Sequence, residues 1–513
     1  MVTGFQNEVR RKVTGYSAPL LLSKAGTSSI IECPPIHRDK ELIQTLLASK
    51  GVASVDLVAY KPGLLQSSSF EDKIALANGK DSVLHKQEIT GVLMKGVESK
   101  YHWKFIQSHL VQGRLPNFKE KIPSSEIILS KRLCEVLHFK LNEEINSFFV
   151  KEKPILRKFK IVGIFDTGFE DYDKKMVFCD LRTIQKLNDW GLSSSISIDD
   201  TLIQGRIVLR ADVSGQKENL QYDWGDGPDR FAGRAILSNF IDTTYRLIVY
   251  QFDKNSQSLL PKDTCSIQLH KTNNSEIALN SEGELSKMSL NISGSKYYIP
   301  LNDGRLLVTL KEGKGTWQNL IAGYEVQLDN WDELELMKKD LASKVEMKPN
   351  KEGELIQVQS IIEAEQDLFN WLGFLDINVS IIIILMLIIG IINMGSALLV
   401  MIIIRTRFIG LLKALGSTDW SIRKIFLIQA GYLILQGMLI GNVIGLGLCY
   451  LQSHFGLIQL DPTVYYLNTV PIELTLGAWL GLNCATFIIC ALALFIPSVV
   501  IARISPAQSM RFD

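Results

Sequence analysis

The sequence has almost no net charge: 55 Lys and Arg residues balance 54 Asp and Glu residues and leave a formal charge of +1. The lack of a basic excess argues against a nucleic-acid binder, whose surface usually carries one. None of the seven cysteines stands in a C-x-x-C pair, so zinc-ribbon and thioredoxin-like sites have no support. Disulfides among Cys33, Cys134, Cys179 and Cys265 stay open, because spacing alone does not pair them.

Signatures of catalysis and of nucleotide binding are also absent. The sequence contains no G-x-S-x-G, H-E-x-x-H or paired-carboxylate pattern. Gly79 and Lys80 lack the upstream glycine and the following Ser or Thr of a phosphate-binding loop. Asp223, Asp226 and Asp229 in DWGDGPD could bind calcium, but their spacing differs from an EF-hand and favours a turn. We therefore predict no catalytic or metal-binding residue, no cofactor and no enzymatic activity.

Long apolar runs are concentrated near the C-terminal end. Residues 379–404, 425–451 and 474–499 each exceed the roughly 20 apolar residues that a membrane-spanning helix needs. The first run contains no charged residue at all. The sequence therefore predicts three transmembrane helices that follow a large, mixed N-terminal region.

The charges of the connecting segments predict the orientation. Segment 405–424 contains five basic residues and one acid, whereas segment 452–473 contains two acids and no Lys or Arg. Basic loops stay on the cytoplasmic side. Segments 405–424 and 500–513 are therefore predicted to be cytoplasmic, and segment 452–473 and residues 1–378 to be periplasmic.

An exported region of this size needs a signal, yet the N-terminal stretch has no apolar core of a signal peptide. Phe5, Val9 and Val13 instead recur every four residues, as on an amphipathic helix. We expect a membrane helix to precede Met1, which would give the intact protein four spans with both ends in the cytoplasm.

Within the exported region the pattern is that of an α+β domain. Strands and short helices alternate up to residue 200, and short β-type runs with polar turns follow over 201–313, as in a small sandwich or barrel inserted into the domain. Residues 314–378 return to the first domain. Within them, residues 356–378 are predicted as one helix that leads directly into the first span.

Glycines recur at four-residue spacing on two of the predicted spans. They are Gly437, Gly441 and Gly445 on the second span and Gly477 and Gly481 on the third. Small residues on one face let helices approach closely in lipid, although glycine is also simply common in membrane helices. No ionisable residue lies inside a span, which argues against a substrate pathway through the membrane.

Several segments together resemble one family of bacterial membrane proteins. They are TGFQNEVRRKVTG at 3–15, GRLP at 113–116, SEIILS at 125–130, FKIVGIFDTGFEDYD at 159–173, FNWLGFLDINVSIIIILMLIIGIIN at 369–393, RTRFIGLLKALGSTDWSIRKIF at 405–426 and ARISPAQSMRFD at 502–513. Their order and the topology resemble FtsX-like and MacB-like ABC permeases, above all the lipoprotein-releasing (LolC/LolE-type) permeases. Segment 201–313 lies outside the resemblance.

The resemblance implies a bacterial inner-membrane permease with a MacB-type periplasmic core domain. It also implies a second permease subunit, identical or homologous, and a separate cytoplasmic ATPase that drives movement of the periplasmic domains. A lipoprotein would be the substrate and a periplasmic carrier a further partner. Rivals in the same family are a MacB-like efflux permease and an FtsX-like regulator of cell-wall hydrolases. A membrane-tethered binding module is the rival from another class, and a neighbouring gene for an ABC ATPase would argue against it.

The resemblance also points to segment 405–424 as the surface that contacts the ATPase. Phe408, Leu411, Leu412 and Leu415 share one helical face, which either lies on lipid headgroups or sits in a groove of the ATPase. Arg407 and Lys413 are predicted at the polar rim of that face, and Gly416 at the end of the helix, before a cap by Ser417 or Thr418. The family often has glutamates where Ile404 and Phe408 stand here, which implies a more apolar contact. Leu412→Asp is then expected to release the ATPase.

The predicted orientation can be tested with single cysteines in a background without reactive native thiols. A cysteine at Ser453 should react with a membrane-impermeant thiol reagent in intact spheroplasts, because positive-inside topology places it outside. A cysteine at Ser417 should react only after lysis. The reverse labelling pattern would contradict the orientation.

Overall fold

The computed structural model describes residues 2–499 apart from internal gaps, which are 28, 32, 76–80, 120–122, 150–154, 199–206, 216–218, 226–233, 238–242, 254–257, 273–295, 302–303, 312, 347, 462–464, 466 and 468. Residues 273–295 of the predicted β-rich insert, the C-terminal tail, and Gly79, Lys80, Asp226 and Asp229 lie outside the described residues. The chain divides into two compact units. The helical unit consists of Met1–Tyr16, Gly168–Asp171 and Ile362–Asp513, and the β-rich unit of Ser17–Thr167 and Tyr172–Ile361.

Helices form most of the first unit and only short elements of the second. In chain order they are α1 (Val2–Tyr16), α2 (Lys40–Leu47), α3 (Lys104–Ser108), α4 (Lys131–Leu137), α5 (Glu170–Asp173), α6 (Leu181–Leu187), α7 (Leu334–Val345), α8 (Ile361–Ala364), α9 (Gln366–Ile404), α10 (Thr406–Ala414), α11 (Asp419–Phe455), α12 (Leu476–Ala493) and α13 (Phe495–Ser498). The described residues also form two 3₁₀ turns, Trp317–Asn319 and Trp331–Glu333.

Strands lie in the β-rich unit. They are β1 (Leu20–Lys24), β2 (Ile36–His37), β3 (Val52–Gln66), β4 (Phe70–Ala75), β5 (Asp81–Lys86), β6 (Ile89–Val97), β7 (Leu110–Gly113), β8 (Glu126–Ser130), β9 (Glu144–Phe149), β10 (Ile155–Phe165), β11 (Met176–Asp180), β12 (Leu192–Ile198), β13 (Ile207–Gly215), β14 (Leu220–Asp223), β15 (Arg234–Leu237), β16 (Thr243–Asp253), β17 (Ser258–Thr272), β18 (Lys296–Leu301), β19 (Gly304–Lys311), β20 (Leu320–Ile321), β21 (Gly323–Leu328) and β22 (Ile356–Ser360).

The principal sheet is mixed and runs in the order β22-β1-β21-β3-β6-β11-β8-β10-β7. Strand β9 pairs with both β10 and β3, so the strands from β3 to β10 close into a ring. Gly63 on β3 permits this closure, because a Cβ there would stand 2.9 Å from the ring of Phe149 on β9. Three large side chains of the ring strands, Phe149 on β9, Phe159 on β10 and Met94 on β6, are buried.

A β-sandwich follows in the chain. The sequence alone leaves both a sandwich and a barrel open for this β-rich region. The two sheets of the sandwich run β12-β13-β15 and β14-β16-β17-β19-β18. They share one apolar core, to which Leu192 and Leu209 contribute from the first sheet and Leu247, Ile267 and Val308 from the second. Strand β12 pairs with β13 along its whole length, so the sandwich includes residues before 201.

One predicted helix was wrong. Residues 356–378 do not form one helix, because Ile356–Ser360 is strand β22 and helix α9 starts only at Gln366. Burial along β22 alternates, with Ile356, Val358 and Ser360 inside, which is the two-residue period of a strand. Helix α7 is preceded by a 3₁₀ turn at Trp331–Glu333, and its buried face holds Leu334, Met337 and Leu341.

In the described part of the helical unit, three helices are long and apolar enough to cross a membrane: Gln366–Ile404, Asp419–Phe455 and Leu476–Ser498. Their positions confirm the three predicted spans. Helix α1 has the predicted amphipathic character, with Val9 and Val13 fully buried. It packs on the first turns of α9, where Phe5 meets Trp371 edge to face at 5.7 Å and the Gln6 amide donates to the Leu372 carbonyl at 3.0 Å.

One buried carboxylate joins the two sheets of the sandwich. The backbone N–H and the hydroxyl of Ser194 on β12 donate to Asp263 on β17 at 2.8 and 2.9 Å, and the N–H of Gly315 donates at 3.1 Å. Asp263→Ala should lower the free energy of unfolding of the sandwich by about 2–4 kcal/mol, because buried donors lose a charged acceptor. Pulse proteolysis in urea measures this change. Asp212→Ala, at an exposed carboxylate of the same sandwich, is the control, and an equal loss there would contradict the role of Asp263.

Candidate functional site

The candidate site is helix α10 with the turn that joins it to α11. The helix ends in a Schellman motif: the N–H of Ser417 donates to the Leu412 carbonyl at 3.0 Å, and the N–H of Gly416 to the Lys413 carbonyl at 3.1 Å. Gly416 has a φ of +90°, which a residue with a side chain rarely adopts. The predicted end of the helix at Gly416 is confirmed.

The next helix begins directly behind this turn. The hydroxyl of Thr418 accepts a hydrogen bond from the N–H of Ser421 at 3.3 Å, so Thr418 is the N-cap of α11. Asp419 in the first turn of α11 forms an ion pair with the Lys413 ammonium at 2.9 Å. The pair links the last turn of α10 to the first turn of α11.

The apolar stripe of α10 is divided between two environments. One edge consists of Ile409 and Leu412, which pack against a buried cluster of this chain. The cluster comprises Leu398, Ile402, Ile409, Ile422, Phe426, Ala430, Ile434, Cys490 and Leu494, from α9, α10, α11, α12 and the residue that follows α12. The other edge consists of Phe408, Leu411 and Leu415, which are 48%, 51% and 75% exposed. These three residues are called the outer edge of α10 below.

The division follows from helical geometry. At 3.6 residues per turn, Leu411 and Leu415 lie on one side of Phe408 and Leu412 and Ile409 lie on the other. The buried cluster therefore covers the side of the stripe that holds Ile409 and Leu412, and it leaves the side that holds Leu411 and Leu415 exposed. Arg407 lies beside Leu411 on the exposed side of the helix.

Two of the predicted roles within α10 need correction. Leu412 is not part of an exposed face, because it is half-buried against the cluster of its own chain. Lys413 does not stand at a solvated rim, because its side chain is only 11% exposed and is paired with Asp419. Both residues support the structure of the turn, which leaves Arg407 and the outer edge as the part of the prediction that a partner could reach.

The five span glycines do not bring helices of this chain together. A Cβ at Gly437, Gly441, Gly445, Gly477 or Gly481 would meet nothing within 4 Å in the described part of the chain. Close packing at these glycines therefore stays a prediction that now concerns a second chain.

Polar contacts join the second and third spans instead. The side-chain amide N–H of Asn442 on α11 donates to the side-chain oxygen of Asn483 on α12 at 2.7 Å. The indole N–H of Trp479 donates to the side-chain oxygen of Asn442 at 3.0 Å. Sequence reasoning missed this network. The signal was present, since each asparagine stands alone within an otherwise apolar run.

The described residues of the β-rich unit form no candidate metal site and no disulfide. No group of three or more His, Cys, Asp or Glu side chains there, or elsewhere in the described chain, is arranged to hold a metal ion. No disulfide joins the seven cysteines, all of which are described. Burial raises the pKa of Cys33 to about 11 and that of Cys134 to about 12, which keeps both as unreactive thiols. Asp223 accepts a hydrogen bond from the N–H of Gly225 at 2.8 Å, as in a turn.

Comparison with known proteins finds a family match for the segment that contains α10. Residues 380–506 match the family described as FtsX-like permease C-terminal. This FtsX-like segment comprises the three spans and the α10 turn, so the predicted similarity to FtsX-type permeases is confirmed over these residues. No curated protein matches the chain.

Two solved structures show weak similarity. The extracellular domain of the noncanonical ABC-type transporter YknZ from Gram-positive bacteria is 14% identical with a TM-score of 0.21, over 33% of this chain and 75% of that chain. The periplasmic region of MacB from Actinobacillus actinomycetemcomitans is 13% identical with a TM-score of 0.22, over 34% of this chain and 70% of that chain. Scores this low carry no argument about the β-rich unit.

The division of the apolar stripe predicts that two neighbouring substitutions differ in their effect on stability. Leu412→Asp should destabilise the helical unit by about 2–4 kcal/mol, because it places a carboxylate against the buried cluster. Leu411→Asp should change stability by less than about 1 kcal/mol, because Leu411 is exposed. Thermal unfolding of the two purified variants in detergent measures the difference, and equal stabilities would contradict the division.

Proposed function

We propose that this chain is the permease subunit of an ABC transport system and that a separate ATPase binds the outer edge of α10. The match of residues 380–506 to the FtsX-like permeases supports the transport class. The outer edge supplies the contact, because Phe408, Leu411 and Leu415 form a compact apolar surface on the segment predicted to be cytoplasmic. This surface is the single observation that carries the proposal.

The mechanism that fits these residues is mechanical. The described spans contain no ionisable side chain in their apolar cores, so a hydrophilic path through them has no support. ATP binding and hydrolysis on the partner would instead move α10. The cap of α11, the Lys413–Asp419 pair and the buried cluster would pass that movement to α9 and α11. A second permease subunit would pack on the span glycines.

Lipoproteins are the proposed substrate, released from the outer face of the inner membrane toward a periplasmic carrier. This part rests on the resemblance of the N-terminal, middle and C-terminal segments to the lipoprotein-releasing permeases. It requires residues 17–361 to lie outside the cytoplasm, as the distribution of basic residues predicts. Affinity purification from membranes, with identification of the lipoproteins that accompany the chain, tests the substrate class separately from the ATPase contact.

The ATPase contact can be tested by placing a carboxylate on the outer edge. Leu411→Asp and Leu415→Asp should each release the ATPase from the affinity-purified chain, because burying an unpaired carboxylate in an apolar contact costs several kcal/mol. A loss of about 3 kcal/mol weakens binding by more than a hundredfold. Quantitative mass spectrometry of the purified complex measures the amount of ATPase per permease.

Ala414→Asp is the matched control, since Ala414 is exposed on the same helix but outside the apolar stripe. It should retain the ATPase at the level of the unaltered chain. Full retention of the ATPase by both Leu411→Asp and Leu415→Asp would mean that the outer edge lies on the membrane surface. Absence of any phosphate-loop ATPase from the unaltered complex would overturn the transport function itself.

A further inference from the structure

Three charged side chains are buried together in the principal sheet of the β-rich unit. Lys95 on β6 and Glu325 on β21 form an ion pair at 2.7 Å, and their side chains are 0% and 1% exposed. Asp56 on β3 is also buried. It stands directly opposite Glu325 in the antiparallel pairing of β3 with β21. Opposed residues in such a pair have Cβ atoms about 4.5–5.5 Å apart, so the two carboxyl groups are neighbours.

Aromatic side chains and hydroxyl groups complete the surroundings of these charges. Tyr60 donates to the Glu325 carboxylate at 2.5 Å, and the Lys95 ammonium donates to the Tyr101 hydroxyl at 3.1 Å. The ammonium also lies 5.1 Å from the ring centre of Tyr101 and 5.8 Å from that of Phe178. Water is therefore excluded from the cluster on the side of the rings.

The charges of the cluster do not balance. Two carboxyl groups share one ammonium group, and both Tyr60 and Tyr101 are neutral phenols, because burial holds their pKa values well above the ordinary value. A net negative charge in a buried site is costly unless a proton neutralises it. Glu325 forms the ion pair with Lys95 at 2.7 Å, so the single ammonium charge is already matched by one carboxylate before Asp56 is counted.

We infer that Asp56 is a proton-binding site of the folded β-rich unit, so that the pairing of β3 with β21 tightens when the medium around this unit becomes more acidic. With the proton bound, a neutral carboxyl group faces the Glu325 carboxylate and can donate to it. Without the proton, two like charges stand directly opposite each other across the two strands, which is destabilising. The inference does not depend on the proposed function.

The electrostatics of the site agree with this assignment. Burial, and then the negative charge of Glu325, raise the pKa of Asp56 to about 7, against the smaller opposing influences of Lys95, the Ser54 hydroxyl and the backbone of His102. In the unfolded chain an aspartate has a pKa of about 3.9. The folded state therefore binds a proton between about pH 4 and pH 7 that the unfolded state has lost, and stability falls as the pH rises through this range.

Asp56→Asn tests the inference, because the amide has the shape of the protonated acid and does not titrate. Hydrogen exchange of β3 and β21 in the full-length protein in detergent, corrected for intrinsic exchange rates, reports the opening of these strands. In the unaltered protein the opening constant should rise about tenfold per pH unit between about pH 5 and pH 7 and level off above. In Asp56→Asn the rise should be absent, and at pH 8 the strands should be better protected than in the unaltered protein.

Asp212→Asn, at an exposed carboxyl group, is the control and should keep the pH dependence of the unaltered protein. Infrared difference spectroscopy provides a second measurement that needs no folded variant. A protonated carboxyl band should be present in the unaltered protein at pH 6 and lost at pH 8. The same pH dependence of exchange in Asp56→Asn and in the unaltered protein, or no such band at pH 6, would overturn the inference.

Discussion

The antiparallel pairing of strand β1 with strand β22 is the interaction on which the organisation of the β-rich unit depends. It places Leu20 opposite Ser360 and Lys24 opposite Ile356, and the N–H of Ile361 donates to the Pro19 carbonyl at 2.9 Å. Helix α1 is followed by β1, and β22 is followed by α8 and α9, so two of the four chain connections between the units lie at this strand pair. The other two lie on either side of Gly168–Asp171.

The second constraint is the width of the apolar stripe on α10. If a single partner covered the whole stripe, α10 would either be buried within its own chain or depend entirely on another protein. Here Ile409 belongs to the core of the chain and Leu411 is exposed, so the helix is held in position while it presents a surface. A coupling element needs both properties, because a contact transmits movement only when its support is rigid. The Schellman turn at Gly416 and the Lys413–Asp419 pair supply that support.

The buried charges of the principal sheet need an explanation beyond stability. Apolar residues in place of Lys95 and Glu325 could be equally stabilising, since the desolvation of a buried ion pair offsets much of its attraction. The pair is therefore not explained by stability alone. With Asp56 beside it, the same site responds to protons, a property that an apolar core cannot have.

The sequence by itself determined the elements that depend on local composition. The three spans, the amphipathic helix α1 and the cap at Gly416 follow from apolar length, periodicity and backbone preference, which act between near neighbours. Strand β22 was mistaken for helix because its five residues stand next to a long apolar helix. Only the tertiary structure decided that Leu412 is covered and Leu411 is not, because both lie on one stripe and a packing partner chose between them. Only the tertiary structure joined Lys95 to Glu325, because strand pairing between distant segments leaves no local pattern.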